Sequence, residues 1–532
     1  MKLINKTIGE CLKERVRLSG ERTAIETGGF RCTFEQLDRF SDFLAVQMGK
    51  DRIEKGTHVG IWSTNSPEWV SVFLALTKIG AVPVLVNTCL RDAEVTRILS
   101  YADVEVLYYG AGGKTTICDD LIETIRSKSP NIRRFISIHE NIAGTWESGL
   151  SKAACSPQGL EELAQKKNQV KPADPACMIF TSGTTSFSKG VILSHYSMVN
   201  NSLAMVKAMQ WNENDKMCLT VPLFHCFGVT AGILACLISG AEMDLLPCFR
   251  TSDVWDGLEQ KHDTILNGVP SMFLALIRKP EHRGRCADSL KSGIIAGSPV
   301  TPEEYAEICE RFPQMHLQPS YGQTETSPCV TIAGWDDPIE QKGRSAGRPI
   351  DHVSTRIADC NTGNVLAQGH DGEIQVKGYN VMIGYYNLPD VTAGTFTSDG
   401  WLKTGDIGHF DQLGELHVTG RLKEMIIRGG ENISPQEIER AIKKLTWVEQ
   451  VKVVGVPAAV LQEEIAACIV PKRGCEINAG ELHDFLKPRL AHYKLPTYVL
   501  RFDAFPMNAS GKIKLKDLKS KAAAMVKNNQ CA

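Results

Sequence analysis

TSGTTSFSKG, at residues 181–190, is a polar stretch between two short apolar runs of this 532-residue chain. Six of its first eight residues carry a hydroxyl group, one is glycine, and Lys189 follows them. Such a segment cannot fill a core, but it offers backbone N–H groups, hydroxyl groups and a cation to a polyphosphate. It is not a Walker loop, because the spacing from Gly183 to Lys189 is wrong. Composition alone therefore leaves two interpretations, a phosphate-binding loop between strands or a Ser/Thr-rich surface turn.

The segments around this loop alternate between strand-like and helix-like patterns. Residues 59–62 are strand-like, a helix follows from Pro67, and residues 81–86 are strand-like again. This order predicts parallel strands joined by right-handed crossovers. Short apolar runs bounded by Gly or Ser are typical of strands buried on both faces, and others lie at residues 176–180, 216–221 and 293–296. We therefore expect an α/β fold with two mixed or parallel sheets in a large N-terminal domain.

The pattern changes after about residue 343. Short strand-like runs separated by turn residues predict antiparallel hairpins and a small β-barrel. After Arg421 another unit begins, with a strand-like run and a helix from Pro435. We therefore divide the chain into an N-terminal domain, residues 1–421, and a smaller, mobile α+β C-terminal domain, residues 422–532. The Lys- and Ala-rich tail from Lys519 is expected to fray.

Charge and cysteine usage exclude some classes of partner and compartment. Lys and Arg total 59 and Asp and Glu total 61, so the formal net charge is −2. Without a basic surplus, the chain gives no sign of binding nucleic acid. The 17 cysteines stand singly and form no C-x-x-C motif. This usage predicts reduced thiols and a cytoplasmic location.

One uncharged stretch is long enough to be weighed as a membrane span. It covers the 25 residues between Lys216 and Glu242, whereas a bilayer requires roughly 20. Pro222, Gly228 and Gly232 interrupt it, so it predicts a strand, a turn and a buried helix instead. The N-terminal segment carries charges every few residues and has no apolar stretch typical of a secretory signal. We therefore expect no membrane span.

The polar loop resembles the phosphate-binding signature of the adenylate-forming superfamily, which comprises acyl-CoA synthetases, luciferases and peptide-synthetase adenylation domains. The chain departs from that signature at Ser186 and Ser188, where the family has Gly and Pro. A Ser at a position with positive φ would cost about 1 kcal/mol relative to Gly, so we expect altered ATP affinity rather than lost activity. Further stretches resemble the superfamily's motifs in the same order, namely PLFH at 222–225, AGSP at 296–299, YGQTETSP at 321–328, TGD at 404–406, GRLKEMIIRGGENISPQEIE at 420–439 and NASGKIKL at 508–515.

The resemblance implies a site for ATP and Mg²⁺. Lys189 would hold the β- and γ-phosphates, Glu325 would bind Mg²⁺, and Thr324 would donate to the α-phosphate, because negative charge builds on the phosphoryl oxygens. Tyr321 would stack on adenine, and Asp406 would accept hydrogen bonds from the ribose hydroxyls. The other residues implied to contact the nucleotide are Thr181, Ser182, Gly183, Thr184 and Thr185 in the loop, Gly297, Ser298 and Pro299 in AGSP, Gly322, and Arg421 at the ribose or a phosphate.

The resemblance also implies that the C-terminal domain rotates between two half-reactions. Lys423 matches the hinge position. Lys512 would contact the acyl carboxylate and the α-phosphate in the first step. The loop Arg428-Gly429-Gly430 would line the tunnel for the pantetheine arm of coenzyme A in the second. His225 would gate or line the acid pocket, with a buried structural histidine as the alternative.

These motifs predict an ATP-dependent ligase that joins a carboxylic acid to coenzyme A through an acyl-adenylate. AGSP and IIRGGENISP are most similar to the short-to-medium-chain acyl-CoA synthetases, so we expect an acid of that size. Three alternatives stay open: a loader of a carrier-protein thiol, a luciferase-like oxygenase and a non-catalytic nucleotide-binding module. The sequence leaves the oligomeric state open between monomer and dimer.

Overall fold

In the computed structural model, the apolar runs on both sides of the polar loop are strands, Pro175–Thr181 and Lys189–Ser194. They pair antiparallel, and Thr181 lies opposite Lys189. Residues 182–187 of the loop lie outside the described residues. The structure describes residues 1–110, 119–151, 154–181, 188–282, 284–298, 300–360, 362–422, 426–433, 435–506, 513 and 515–528.

This hairpin belongs to a mixed sheet. Its inner strands are parallel, and His58 lies opposite Val82 in the pairing that the strand–helix–strand pattern predicts. The antiparallel strands lie together at one edge. Within the described residues the sheet has seven strands, in the spatial order Gly384–Tyr385, Lys189–Ser194, Pro175–Thr181, Val82–Leu85, His58–Trp62, Val106–Tyr109 and Arg134–Ser137.

A second mixed sheet carries the strand that leads into the YGQTETSP motif. Its inner strands are parallel, and antiparallel strands close both edges. The prediction of a large α/β unit with two such sheets is confirmed. In the described part of the chain this sheet has nine strands, in the order Arg348–Pro349, Cys329–Ile332, His316–Gly322, Ser292–Ile295, Ile265–Leu266, Lys216–Leu219, Glu242–Leu245, Thr23–Thr27 and Phe30–Thr33.

Helix Pro67–Ile79 shows how the local sequence sets the ends of an element. Ser66 accepts a hydrogen bond from the backbone N–H of Trp69, and Pro67 occupies the first turn. Gly80 ends the helix with a φ of 74°, a left-handed conformation that favours glycine. Every residue of the helix is buried. It therefore forms part of the main apolar core, which also includes residues of both large sheets.

The helices cover the faces of the sheets. The uncharged stretch after Lys216 contains a strand and then a buried helical segment that includes the π-helical residues Val229–Leu234, as the interrupted pattern predicts. Among the described residues, none of the helices has both the length and the apolar character needed to cross a bilayer. The α-helices are Ile8–Ser19, Phe34–Lys50, Pro67–Ile79, Asp92–Tyr101, Asp119–Lys128, Ile138–Asn141, Trp146–Leu150, Pro157–Gln169, His195–Ala208, Cys226–Gly228, Ala235–Ser239, Thr251–Gln260, Pro270–Arg278, Pro302–Arg311, Ile339–Lys342, Pro389–Thr395, Pro435–Ile442, Ala479–Leu486 and Leu515–Lys527, and the 3₁₀ turns are Ala143–Thr145, Pro280–His282, Thr324–Thr326 and His492–Lys494.

The hairpins expected after residue 343 form a small antiparallel sheet. Its first and last strands do not pair with each other within the described residues, because four strands are too few to close a barrel. The four strands, in spatial order, are Val353–Ala358, Gly372–Gly378, Leu402–Phe410 and Leu416–Arg421.

The C-terminal sheet is covered on both faces. Val453 faces one apolar cluster with helix Pro435–Ile442, and Val454 faces the other with helix Leu515–Lys527, as the alternation of a strand requires. The tail from Lys519 therefore does not fray as predicted, because Leu518 and Ala522 are buried against the sheet. Within the described residues the strands are Glu431–Ile433, Ile426–Arg428, Gln462–Pro471 and Val448–Ala458, with Tyr498–Arg501 parallel to Gln462–Pro471.

A change of sheet occurs just after residue 421. Strand Leu416–Arg421 pairs in the four-stranded sheet, whereas Ile426–Arg428 pairs in the C-terminal sheet. We propose that the boundary between the large unit, residues 1–421, and the C-terminal unit, residues 422–532, lies between these strands.

Candidate active site

The YGQTETSP motif turns sharply where its strand ends. Strand His316–Gly322 is followed by the 3₁₀ turn Thr324–Thr326, which carries Thr324 and Glu325. A Cβ atom on Gly322 would lie 1.8 Å from the carbonyl oxygen of Pro328, so only glycine fits at this crossing. The turn is further tied down because the backbone N–H of Met382 donates to the carbonyl oxygen of Glu325 at 2.9 Å.

The Glu325 carboxylate and the lysine that ends the polar loop both contact Tyr385. Tyr385 donates a hydrogen bond of 2.8 Å from its hydroxyl to Oε1 of Glu325. The ammonium of Lys189 lies 4.1 Å from the centre of the Tyr385 ring, in cation–π contact. A carboxylate and a cation expected to act on the same triphosphate are therefore joined through one aromatic side chain.

The residues expected to bind the nucleoside also adjoin. The hydroxyl of Tyr321 donates to Oδ2 of Asp406 at 2.8 Å, and Asp406 is 3% exposed. The backbone of Asp406 pairs with that of Arg421 across two strands, and its N–H donates to Thr404. The structure thus brings the predicted adenine-stacking residue and the predicted ribose-binding residue into direct contact.

His225 of the PLFH motif meets the C-terminal unit. Its Nε2 lies 3.3 Å from Oε1 of Glu431, and its side chain is 38% exposed, so the interpretation as a buried structural histidine does not fit. Burial opposes ionisation of Glu431, but His225 and other neighbours hold the pKa of this carboxyl below its ordinary value. Next to His225, Cys226 contacts the hydroxyl of Thr324 at 3.6 Å, which links PLFH to the YGQTETSP turn.

Glu431 lies at the end of a two-residue hairpin turn, Gly429-Gly430. Both glycines have positive φ, 57° and 83°, as a tight hairpin turn of this kind requires. A Cβ atom on Gly430 would lie 2.7 Å from Cγ1 of Val269 in the large unit. Arg428 is instead held within the C-terminal unit by Glu464 at 2.6 Å. The glycines of the predicted coenzyme A loop therefore face the large unit, whereas its arginine is engaged elsewhere.

The AGSP motif also approaches Val269. Gly297 has a φ of 87°, and a Cβ atom there would lie 3.1 Å from Cγ1 of Val269. The hydroxyl of Ser298 is buried and accepts or donates no hydrogen bond among the described residues. Val269 is thus in contact with both the predicted adenine-side loop and the hairpin of the C-terminal unit.

Several predicted site residues lie outside the described residues. Thr181 ends its strand opposite Lys189, and the backbone of Arg421 is described by its pairing with Asp406. The predicted residues outside the described part of the chain are Ser182, Gly183, Thr184, Thr185, Pro299, Lys423 and Lys512.

Sequence reasoning missed three residues that the structure places at or near this site. Tyr385 lies in GYYNLP, where only the strand-like pattern drew attention. Glu431 lies inside a quoted motif, but nothing in its spacing pointed to His225. Lys494, the third, forms ion pairs of 2.8 Å with Glu94 of the large unit and 3.0 Å with Glu437. Each owes its significance to a partner that is distant in sequence, so no local signal could have identified it.

The chemistry of Glu325 fits a magnesium ion bound together with a triphosphate. Mg²⁺ prefers oxygen ligands, keeps several waters and is usually held by one or two carboxylates plus substrate phosphates. Tyr385 engages Oε1 of Glu325, and no hydrogen bond from the described residues reaches Oε2. The carboxylate therefore has an oxygen available for an ion.

The match to known families covers most of the chain. Residues 12–386 match the family model of the AMP-binding enzymes, and residues 437–512 match that of the AMP-binding enzyme C-terminal domain. YngI of Bacillus subtilis (strain 168), to which an acyl-CoA synthetase activity is ascribed, is 35% identical over 539 residues that cover 98% of both chains. The mitochondrial medium-chain acyl-CoA ligase ACSF2 of Homo sapiens is 33% identical over 533 residues, covering 96% of this chain and 86% of the relative.

Solved structures match over nearly the full length. The o-succinylbenzoate CoA synthetase of Bacillus subtilis, a double mutant bound with a product analogue, gives a TM-score of 0.82 at 27% identity, covering 97% of this chain and 98% of that chain. ATP-bound MatB from Rhodopseudomonas palustris gives a TM-score of 0.67 at 26% identity, covering 98% of this chain and 100% of that chain.

Proposed function

The chain belongs to the AMP-binding enzyme family, and from that membership we propose an acid–CoA ligase that acts on short- or medium-chain carboxylic acids. In the first step a carboxylate oxygen attacks the α-phosphorus of ATP, the bond to the bridging oxygen breaks, and pyrophosphate leaves. In the second step the thiolate of coenzyme A attacks the acyl carbon, and AMP leaves. The acid class rests on the motif resemblance and on the name of the medium-chain relative.

One observation carries this proposal. Groups suited to a triphosphate, to Mg²⁺ and to a nucleoside converge from separate elements, and the Gly429-Gly430 hairpin lies against the same region. Lys189 would neutralise charge on the phosphates, and Thr324 would donate to the oxygens of the α-phosphate. Asp406, largely buried, would accept from the ribose hydroxyls. Bound at Glu325, Mg²⁺ would neutralise the charge that develops on the phosphate oxygens.

We further propose that this pose of the C-terminal unit is the one that serves the coenzyme A step. Gly430 approaches Val269, and Glu431 meets His225. In the first step the C-terminal unit would rotate about Lys423 and bring Lys512 to the phosphates. The rotation would thus separate adenylate formation from the admission of the thiol.

A screen of carboxylic acids tests the activity. Purified enzyme is incubated with MgATP and one acid at a time, and pyrophosphate release and thioester formation are followed with and without coenzyme A. We expect release and thioester formation with acids of short to medium chain length. Acid-dependent release without any thioester would favour the carrier-loading alternative, whereas light or oxygen uptake would favour the luciferase-like one.

Lys512→Ala separates the two half-reactions. Because Lys512 is proposed to neutralise both reacting groups of the first step, the variant is expected to lose acid-dependent pyrophosphate release while still converting a supplied acyl-adenylate to the thioester. The measurement is single-turnover kinetics of each half-reaction. An equal loss in both would contradict the rotating-domain assignment.

We propose a reducing, cytoplasm-like compartment for this activity. The described cysteines are all free thiols, as the sequence predicts for such a compartment.

A further inference from the structure

Tyr385 lies between the two charged groups that are expected to act on the triphosphate. It belongs to the short strand Gly384–Tyr385, and it pairs with Val191, two residues beyond Lys189. Its side chain is buried, with 7% of the residue exposed. The strand pairing therefore places the aromatic side chain of Tyr385 at the end of the polar loop, although the two segments are far apart in sequence.

The backbone around Tyr385 is fixed on both sides. The N–H of Tyr385 donates to the hydroxyl of Thr392 at 2.9 Å, and the N–H of Met382 donates to the carbonyl oxygen of Glu325 at 2.9 Å. The segment that carries Tyr385 is thus tied to the backbone of Glu325. The phenol hydroxyl of Tyr385 is consequently held in place to reach the carboxylate of Glu325.

The hydroxyl of Tyr385 is the donor in its hydrogen bond to Oε1 of Glu325. A hydrogen bond from a hydroxyl to a carboxylate is charge-assisted and stronger than one between neutral groups. Oε1 of Glu325 is therefore committed to Tyr385, and the carboxylate cannot rotate freely.

We propose that Tyr385 is a positioning residue for MgATP. This role rests on the proposed function. Its hydroxyl holds Oε1 so that Glu325 presents Oε2 to Mg²⁺, and its ring holds the Lys189 ammonium toward the phosphates. Groups that hydrogen-bond a metal-binding carboxylate orient it and tune its affinity for the ion. Tyr385 itself touches neither the reacting carboxylate nor the α-phosphorus in this assignment.

The neighbouring residue provides a matched control. Tyr386 also donates its hydroxyl to a carboxylate, Oδ2 of Asp103, at 2.7 Å. That pair is exposed and has no part in the site. Tyr385→Phe and Tyr386→Phe therefore each remove one phenol hydroxyl, from adjacent residues. Only Tyr385→Phe should affect the binding of MgATP.

Tyr385→Phe separates the contribution of the hydroxyl from that of the ring. We expect the Mg²⁺ concentration for half-maximal pyrophosphate release to rise about tenfold, while the KM for ATP at saturating Mg²⁺ stays close to that of the parent, because the ring still holds Lys189. Tyr385→Leu, which also removes the ring, should raise the KM for ATP about fivefold even at saturating Mg²⁺. Tyr386→Phe should match the parent in both quantities.

Calorimetric titration of MgATP in the absence of acid gives a readout that does not depend on turnover. The affinity of Tyr385→Phe should fall at limiting Mg²⁺ and recover at saturating Mg²⁺. If Tyr385→Phe shares the parent's Mg²⁺ dependence in both assays, the positioning role is wrong. If instead the parent releases no pyrophosphate with any acid but still binds MgATP in a Tyr385-dependent way, the proposed function fails while this inference stands.

Discussion

Asp263 shows how one side chain can tie the stability of this protein to pH. Asp263 and Asp244 are fully buried, and their carboxylates lie with the Cys218 thiol within 4.8 Å of one another. Asp244 is paired with Lys261 at 2.6 Å, whereas neither oxygen of Asp263 accepts a hydrogen bond among the described residues. Burial, and then the charge of Asp244, raise the pKa of Asp263 to about 8. The buried carboxyl of Asp263 therefore keeps its proton at neutral pH.

Asp263→Asn should remove this pH dependence. An unfolded Asp titrates near pH 4, so between about pH 4 and about pH 8 the folded state holds a proton that the unfolded state has lost. The free energy of unfolding of the parent should fall as pH rises through this window, by up to about 1.4 kcal/mol per pH unit from this group. The amide does not titrate, so the variant should gain stability relative to the parent as pH rises. Unfolding midpoints between pH 5 and pH 9 measure the difference.

Asp288→Asn is the control for this measurement, because Asp288 is exposed. It should leave the pH profile of the parent unchanged. If Asp263→Asn and the parent lose stability equally as pH rises, the proton on Asp263 is not the cause.

At the scale of single residues, sequence reasoning identified the groups that belong to contiguous motifs. Tyr321 and Asp406 were predicted to bind one nucleoside, and the structure places them in contact. Tyr385 could not be predicted, because its significance comes from Glu325, 60 positions away, and from Lys189 across a strand pair. Asp263 could not be predicted either, since a carboxyl near the end of a helix is usually solvated.

Among the elements, the hairpin formed by Ile426–Arg428 and Glu431–Ile433 depends most on its turn. Gly430 combines a φ of 83° with a close approach to Val269. Alanine there would suffer backbone strain of about 1–2 kcal/mol and would also collide with a β-branched side chain that has little freedom to move. The strain acts in every pose of the C-terminal unit, whereas the collision acts only when the hairpin lies against the large unit.

Gly430→Ala should therefore slow the coenzyme A step about tenfold and leave adenylate formation nearly unchanged. Gly474→Ala is matched to it, because Gly474 has a φ of 82° and open space around its Cα. That variant carries the strain without the collision and should affect neither half-reaction selectively. The two half-reactions are measured separately, with a supplied acyl-adenylate for the second. Equal behaviour of the two variants would exclude a role for the hairpin contact.

The elements themselves were largely predictable where local signals agree. The cap at Ser66, the proline at position 67 and the glycine at position 80 mark the ends of helix Pro67–Ile79 in the sequence as they do in the structure. Helix Leu515–Lys527 was missed, because its polar and Ala-rich sequence shows little apolar character of its own. A short helix of this kind gains its stability from tertiary packing, here of Leu518 and Ala522 against the C-terminal sheet.

At the scale of the whole molecule, a buried cluster of charged side chains joins the two units. Lys494 of the C-terminal unit is 3% exposed and pairs with Glu94 of the large unit and with Glu437 of its own unit. Burial opposes its charge, but the two carboxylates keep the pKa of Lys494 above its ordinary value. Rotation of the C-terminal unit would separate Lys494 from Glu94 and leave Glu437 beside it. We therefore expect the Lys494–Glu94 pair to favour this pose specifically.

Glu94→Gln should weaken this pose without affecting the other. The rate of thioester formation from a supplied acyl-adenylate should fall about tenfold, because a buried ion pair is lost, while adenylate formation is unchanged or faster. Glu437→Gln removes a partner that travels with Lys494, so it should change the ratio of the two rates little. Single-turnover measurements of both half-reactions provide the comparison. If both variants shift that ratio alike, the pair does not discriminate between poses.

The sequence indicated a separate C-terminal unit but not its pose. Glu94 and Lys494 are 400 positions apart, and nothing in the pattern around either residue points to the other. Such contacts depend on how two finished units dock, which hydrophobic periodicity and local motifs do not encode.

The docked C-terminal unit also places Ala491 and Tyr493 among apolar side chains of the large unit, including Trp62 and Val82. If the C-terminal unit rotates as proposed, this apolar contact is exposed to water and buried again in every turnover. Because apolar hydration carries a large heat capacity, the balance between the two poses will shift with temperature. A change of temperature should therefore alter the fraction of time that the enzyme spends in the proposed adenylation and thiol-transfer poses.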